Sequence, residues 1–156
     1  MWKSLKTLGL MTGLIAIQSP AFAGSITDIM STPPLLIKAE RAFDKGYHAR
    51  VVDLLGNGTK SFKPAAQSRA ASLLCQSHIQ LGNAHKAIDA CTASLSFAPT
   101  HWADFNARGG AYYKLGHYGK AADDFAKAVE RAPYEQQVKV NLRVAERAAS
   151  TQFASN

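Results

Sequence analysis

The sequence predicts an all-α chain, a solenoid of antiparallel helix pairs. The first observation is a repeat: residues 81–99 match residues 115–133 at a constant offset, so that Leu81-Gly82 recurs as Leu115-Gly116. The second is that apolar residues recur at helical spacing on both sides of each Leu-Gly pair. Two helices within a repeat of this length are typical of stacked hairpins, which shield one another's apolar faces from water.

Length and composition bound the class of protein. The chain has 156 residues, of which 47% are apolar and 19% are charged. This is enough apolar material for one core of ordinary size and too much for a disordered chain. We therefore expect one small domain.

The N-terminal residues 1–23 have the order of a secretory signal peptide. Lys3 and Lys6 precede an apolar stretch over residues 8–17, and Ala21-Phe22-Ala23 follows as a cleavage pattern. The alternative is a membrane anchor, but a spanning helix needs about 20 apolar residues. We predict a bacterial exported protein, cleaved after Ala23, which is periplasmic or secreted and does not insert into the membrane after cleavage. Residues 24–33 are predicted to be a flexible segment.

The repeat over residues 101–134 is the most regular. Its first helix is predicted from Phe105, Gly109 and Tyr112, and its second from apolar residues after Gly116 up to Pro133. Gly116 suits the left-handed residue that ends a helix, and the small Gly109 suits a close helix crossing beside bulky side chains.

This stretch strongly resembles a tetratricopeptide repeat. The residues at that family's signature places are Gly109, Tyr112, Leu115, Gly116, Tyr118, Ala121, Phe125, Ala128 and Pro133. Residues 64–100 resemble a less typical repeat, which retains Leu74, Leu81, Gly82, Ala87, Leu95 and Pro99 but has Cys75, His78 and Cys91 where small or aromatic residues are usual. The resemblance implies a right-handed α-solenoid of about three repeats over residues 34–150.

The ends of this array are less regular. Residues 34–63 are predicted to be a degenerate repeat in which Leu35, Ala39 and Ala42 form an apolar stripe. Its Gly46 precedes Gly82 by two positions more than the regular offset, which predicts an altered turn. Residues 135–150 are predicted to be a capping helix, and residues 151–156 a disordered tail. The apolar face of the capping helix is predicted from Val138, Leu142, Ala145 and Ala149.

The two cysteines are predicted to form a disulfide. Cys75 precedes Gly82 by seven residues and Cys91 follows it by nine, so they lie at about the same height of an antiparallel hairpin. An oxidising compartment permits the bond, and the alternative is two buried free thiols. Redox catalysis is not favoured, because the sequence has no Cys-x-x-Cys pair.

The sequence contains no recognisable catalytic or metal site, and we expect no cofactor. The five histidines form no ligand cluster; His78 is predicted to be a packed, hydrogen-bonded core histidine. Asp89, Asp123 and Asp124 are predicted to lie on a solvated face. An enzyme whose site is assembled from scattered residues is the third alternative for function.

The resemblance implies that the first helix of each pair lines a concave face that binds a segment of another protein. The predicted lining residues are Ser72, Gln76, Ile79, Gln80, Asn106, Gly110, Tyr113 and Lys114. Tyr113 is either an aromatic anchor for the partner or a cover for the adjacent repeat. The carboxylate clamp of chaperone-binding members is not carried over, because its places hold uncharged residues: Ser72, Gln76, Ala107, Gln137 and Asn141.

We therefore predict a non-catalytic adaptor in the periplasm whose partner is another envelope protein or peptide segment. The net charge of +7, minus the two leader lysines, gives +5. An alternative is thus a basic envelope-associated protein that contacts anionic cell-wall polymers. A nucleic-acid partner is not predicted, since the basic residues are scattered without interleaved aromatics.

Overall fold

A computed structural model describes residues 32–154, which form seven α-helices and no strand. The helices are α1 (Pro34–Asp44), α2 (His48–Leu55), α3 (Pro64–Gln80), α4 (Ala84–Phe97), α5 (Trp102–Lys114), α6 (Tyr118–Arg131) and α7 (Gln136–Ala154). The predicted signal peptide, its cleavage site and residues 24–31 lie outside the described residues.

The helices pair in sequence order. α1–α2, α3–α4 and α5–α6 form three hairpins, and α7 packs on the last of them. First helices also contact one another, α1 with α3, α3 with α5 and α5 with α7. The first helices therefore form a continuous layer, which becomes important for the candidate site.

The three hairpin turns are alike. Gly46, Gly82 and Gly116 have φ values of +74°, +76° and +76°, in the left-handed region that favours glycine. In each turn the amide of the following residue donates to the carbonyl four residues before the glycine; Asn83 N to His78 O, for example, is 2.9 Å. The prediction of an altered first turn is therefore wrong. The extra residues lie in the connection between α2 and α3: α2 has only 8 residues and α3 has 17, together two fewer than the 14 and 13 of α4 and α5, but residues 56–63 between them are four more than residues 98–101.

Small residues bring the helices of a hairpin together. A Cβ atom built on Gly109 would lie 2.9 Å from the ring of Phe125 and 3.2 Å from the carbonyl oxygen of Ala121. Gly109 is thus required for the close approach of α5 and α6. In the first hairpin the fully buried side chains are those of Leu36, Ala39, Val51 and Leu55, while Leu35 packs at the edge of this cluster.

In the α3–α4 hairpin the sulfur atoms of Cys75 and Cys91 lie at the bonding distance of a disulfide. The two Cα atoms are 4.8 Å apart, and both side chains are buried. The spacing therefore places the cysteines opposite each other, as the hairpin geometry requires.

The last helix buries Val138 and Ala145 against the third hairpin. Where Phe105, Gly109 and Tyr112 of α5 face α6, the positions one repeat later in α7 are taken by charged side chains. These are Lys139, Arg143 and Glu146. Over residues 139–146 this flank of α7 is thus charged, while Phe153, near the end of the helix, is 84% exposed.

The end of α7 differs from the prediction. Residues 151–154 are helical, whereas the sequence predicts a disordered tail over 151–156; residues 155 and 156 lie outside the described part. The stretch has no glycine or proline to stop the helix, and the hydroxyls of Ser150 and Thr151 donate to the carbonyl of Arg147 at 2.8 and 2.9 Å. None of the helices within residues 32–154 combines the length and apolar content of a bilayer span.

Candidate functional site

The predicted binding residues lie on one surface, which we call the first-helix face. It is formed by equivalent positions of α3 and α5, and by the positions one repeat later in α7. Its α3 and α5 members are the eight residues predicted from the sequence; its α7 members are Val140, Val144, Arg147 and Ala148. The structure divides this face into three separate depressions.

The central depression lies between α3 and α5 and has a volume of about 240 Å³. It brings together four of the predicted residues, Gln76, Ile79, Gln80 and Asn106. Its remaining walls are Trp102, Ala103 and Ala107, which the sequence analysis did not single out as lining residues. Amide groups thus surround a small apolar floor.

The second depression, of about 250 Å³, lies between α5 and α7 and contains Gly110, Tyr113 and Lys114. A Cβ atom on Gly110 would have no heavy atom within 4 Å, so this glycine opens the surface rather than permitting a helix contact. Phe125, Asn141 and Val144 complete the lining. The ring of Tyr113 packs 5.0 Å from that of Tyr118, so the side chain both covers its own hairpin and lines the depression.

Ser72 lies apart from the other predicted residues, in a third depression of about 270 Å³ between the first and second hairpins. An ion pair between Arg69 and Glu40 lies in its wall. The eight predicted residues therefore follow one face but do not converge on a single site.

The amide side chains of this face bond to one another. Asn141 Nδ2 donates to Asn106 Oδ1 at 2.9 Å and links α7 to α5, while Gln137 Nε2 donates to Asn141 Oδ1 at 3.0 Å. Gln76 Nε2 donates to Ser72 Oγ at 3.3 Å. Each of these amides retains unused donor or acceptor capacity for a bound main chain.

A fully buried carboxylate below Ser72 was missed by the sequence analysis. Asp104, 0% exposed, accepts hydrogen bonds from Ser72 Oγ at 2.8 Å and Ser94 Oγ at 2.6 Å, and His101 Nδ1 lies 2.9 Å from its Oδ2. Its position in the first turn of α5 also places the negative charge at the favourable end of the helix dipole. The cluster ties α3 and α4 to α5, and no local pattern in the sequence signals it.

Asp124 corrects a second expectation, since it is only 3% exposed rather than solvated. Arg108 Nε and Nη2 donate to its two carboxylate oxygens at 2.7 and 2.9 Å, and Arg108 Nη1 donates to Thr92 at 3.0 Å. Hydrogen bonding to Asp124 raises the pKa of Arg108, and burial opposes this shift. Asp89 and Asp123 are exposed, as predicted.

His78 is packed as expected, but Nδ1 has no hydrogen-bond partner within residues 32–154. Burial lowers the pKa of His78, and the charge of Lys86 lowers it further. Folding therefore favours the neutral imidazole. Residues 32–154 also contain no group of three or more His, Cys, Asp or Glu side chains arranged to hold a metal ion.

The comparisons with known proteins agree with this architecture. Residues 74–149 match the sequence model of the tetratricopeptide repeat family. This match supports assignment of the segment to the tetratricopeptide repeat family. Tetratricopeptide repeats typically mediate contacts between proteins and are generally non-catalytic scaffolds. A comparison with curated proteins finds no relative by sequence.

Solved tetratricopeptide repeat structures have the same fold. The first such domain of human RPAP3 superposes with a TM-score of 0.67 and 17% identity, over 78% of this chain and 94% of that chain. The C-terminal TPR-containing domain of a Plasmodium falciparum protein gives a TM-score of 0.71 and 12% identity, over 81% and 93% of the two chains. These similarities confirm the predicted all-α solenoid.

A third structure contains a ligand. The first tetratricopeptide repeat domain of Spaghetti (RPAP3), bound to the HSP90 peptide SRMEEVD, has a TM-score of 0.65 and 18% identity, over 74% of this chain and 90% of that chain. Identities this low show the fold alone and assign no ligand to the present chain.

Proposed function

We propose that this chain is a non-catalytic adaptor that docks a segment of a partner protein on the first-helix face. The observation that carries the proposal is the row of three depressions along adjacent first helices. Each has an apolar floor, and amide or charged groups surround it. The peptide bound to the similar repeat domain of Spaghetti supports a protein segment as the ligand class.

The chemistry of the face suits an extended main chain. The side chains of Gln76, Gln80 and Asn106 each carry both a donor and an acceptor, which is what a peptide group requires. Neighbouring depressions can each take one apolar side chain of the same segment, which supplies the apolar burial.

The rigidity of the scaffold favours binding. The Cys75–Cys91 bond, the Arg108–Asp124 pair and the hydrogen bonds of Asp104 hold the helices before any ligand arrives. Little conformational entropy is then lost on binding, so modest contacts suffice.

We further propose that the protein acts in the periplasm, after cleavage of residues 1–23. Two observations support this: the signal-peptide pattern of the sequence and the pairing of the two buried cysteines. Cell fractionation followed by N-terminal sequencing tests it. A periplasmic product that begins at Gly24 is expected, and a cytoplasmic product that retains Lys3 and Lys6 would contradict it.

Site-specific photo-crosslinking in the native host tests the docking face. A photoreactive residue at Gln80 or Lys114, both exposed on first helices, should give adducts with a partner protein. The matched controls are Asp89 and Asp123, which are exposed on the second helices α4 and α6. Adducts from the controls alone, or none from any position, would refute docking on this face.

A further inference from the structure

At equivalent positions of the first helices, the charge changes sign along the array. The positions two residues before the turn glycines hold Asp44, Gln80 and Lys114 in successive first helices. The positions six residues before the same glycines hold Glu40, Gln76 and Gly110. The helix before the first-helix face, α1, thus has two acidic side chains at these positions, of which Glu40 pairs with Arg69, whereas α5 has a basic one.

The basic end continues onto α7. The position equivalent to Ile79 and Tyr113, one repeat further on, is Arg147, which is exposed. The α5 and α7 members of the face therefore contain two cations, Lys114 and Arg147, and no acidic residue. Counterions or a ligand of opposite charge must neutralise them.

Exposed apolar groups lie beside these cations. Val140 and Val144 are 40% and 43% exposed on α7, whereas Val138 and Leu142 of this helix pack on the third hairpin. Val144 lines the depression of about 250 Å³ together with Gly110 and Tyr113. That volume lies below the range of about 300–1,000 Å³ typical of small-molecule sites, and it suits a single side chain.

We infer that the first-helix face binds its partner segment in one direction, with an apolar side chain in the α5–α7 depression and acidic residues against Lys114 and Arg147. The inference rests on the proposed docking function and specifies the ligand chemistry. Asp44, exposed on α1, disfavours the reversed orientation, because it would face the acidic residues of the segment; Glu40 is already paired with Arg69.

Three fluorescein-labelled, end-capped synthetic peptides test the chemistry. All carry one leucine, followed by two glutamates, two glutamines or two lysines, and their dissociation constants are measured by fluorescence anisotropy. The glutamate peptide should bind about tenfold more tightly than the lysine peptide. The Lys114→Glu/Arg147→Glu double variant should reverse this preference, whereas Arg50→Glu/Lys86→Glu, on the second helices, should retain it.

A glycine pair tests the depression. Gly110→Leu should fill it and weaken binding of the glutamate peptide about tenfold, with folding preserved because the space at its Cβ is open. Gly119→Leu, at another open helical glycine, is the matched control and should bind as the wild type does.

Equal binding of the glutamate and lysine peptides would overturn the inference. So would equal effects of the two glycine variants, or complete loss of glutamate-peptide binding in about 0.5 M salt, since that would indicate association by charge alone, as with anionic polymers in general. If Gln80 crosslinks to a partner protein but the glutamate and lysine peptides bind equally, docking on this face stands. Only the proposed preference for acidic residues is then refuted.

Discussion

Cys75 and Cys91 meet at the same place in the α3–α4 hairpin where Gly109 and Phe125 meet in the α5–α6 hairpin. Each cysteine precedes its counterpart by one full repeat. A covalent bond thus joins the two helices of the α3–α4 hairpin. In the α5–α6 hairpin the equivalent contact is an aromatic ring packed on a glycine that has no Cβ atom. The atypical repeat replaces a packing contact with a chemical one.

The first prediction follows from this substitution. A disulfide that closes a separation of 16 residues stabilises a fold by about 3 kcal/mol on the chain-entropy model. Cys75→Ala/Cys91→Ala should therefore lower the free energy of unfolding in urea by about that amount. Cys75→Gly/Cys91→Phe should recover part of the loss without any bond. A reductant should destabilise only the wild type, and indifference of the wild type to it would rule out a structural bond.

The second prediction separates two adjacent glycines. Gly109→Ala should lower the free energy of unfolding by about 1–3 kcal/mol, because the Cβ atom of the alanine would lie 2.9 Å from the Phe125 ring. Gly110→Ala should stabilise by about 0.5–1 kcal/mol, since its Cβ enters open space and the helix gains alanine. Thermal unfolding followed by circular dichroism measures both. Similar melting temperatures for the two variants would contradict the packing of α5 on α6.

The third prediction concerns the Arg108–Asp124 pair. Asp124→Ala should cost about 3 kcal/mol, because it leaves the guanidinium, 16% exposed, without its carboxylate. Asp123→Ala, at the neighbouring exposed carboxylate, should change stability by about 0.5 kcal/mol or less. A double-mutant cycle with Arg108→Met isolates the coupling energy between Arg108 and Asp124. A coupling energy near zero would show that the two side chains are adjacent without stabilising each other.

The fourth prediction is a pH dependence from His78. Its pKa is lowered in the folded state by burial and by Lys86, so the unfolded chain takes up the proton more readily. The stabilising contribution is complete above the ordinary pKa of about 6.5 and decreases as the pH falls through that value. Urea unfolding between about pH 7.5 and pH 5 should show this decrease. His78→Tyr gives this position the residue type of Tyr112, its equivalent in the next repeat, and should reduce the pH dependence. An unchanged dependence of the free energy of unfolding on pH would exclude His78 as the source.

The architecture was predictable because local signals agree with the packing they produce. Gly82 and Gly116 need the left-handed conformation, and their spacing fixes the repeat length. The first turn was mispredicted because the spacing between glycines was assigned to the turn itself. The structure shows instead that the connection between α2 and α3 absorbs the difference, because residues 56–63 form a longer link than residues 98–101 between α4 and α5.

The candidate face was predicted only in part, for a physical reason. Positions in α3 and α5 follow from helical periodicity, but which polar groups become buried depends on neighbouring repeats. Asp104 and Asp124 resemble solvated carboxylates until Ser94 and Arg108 are placed beside them. The missing α7 members had a signal in the sequence: continuing the repeat offset from Asn106 and Gly110 leads to Val140 and Val144.

The charged flank of α7 limits how the molecule can assemble. A stack of hairpins with an apolar terminal surface can recruit copies of itself head to tail, and such a contact does not close. Lys139, Arg143 and Glu146 would each have to give up water to meet another hairpin. These three side chains thus disfavour the packing of a further hairpin, or of a second copy, against this part of α7, and they leave the first-helix face accessible.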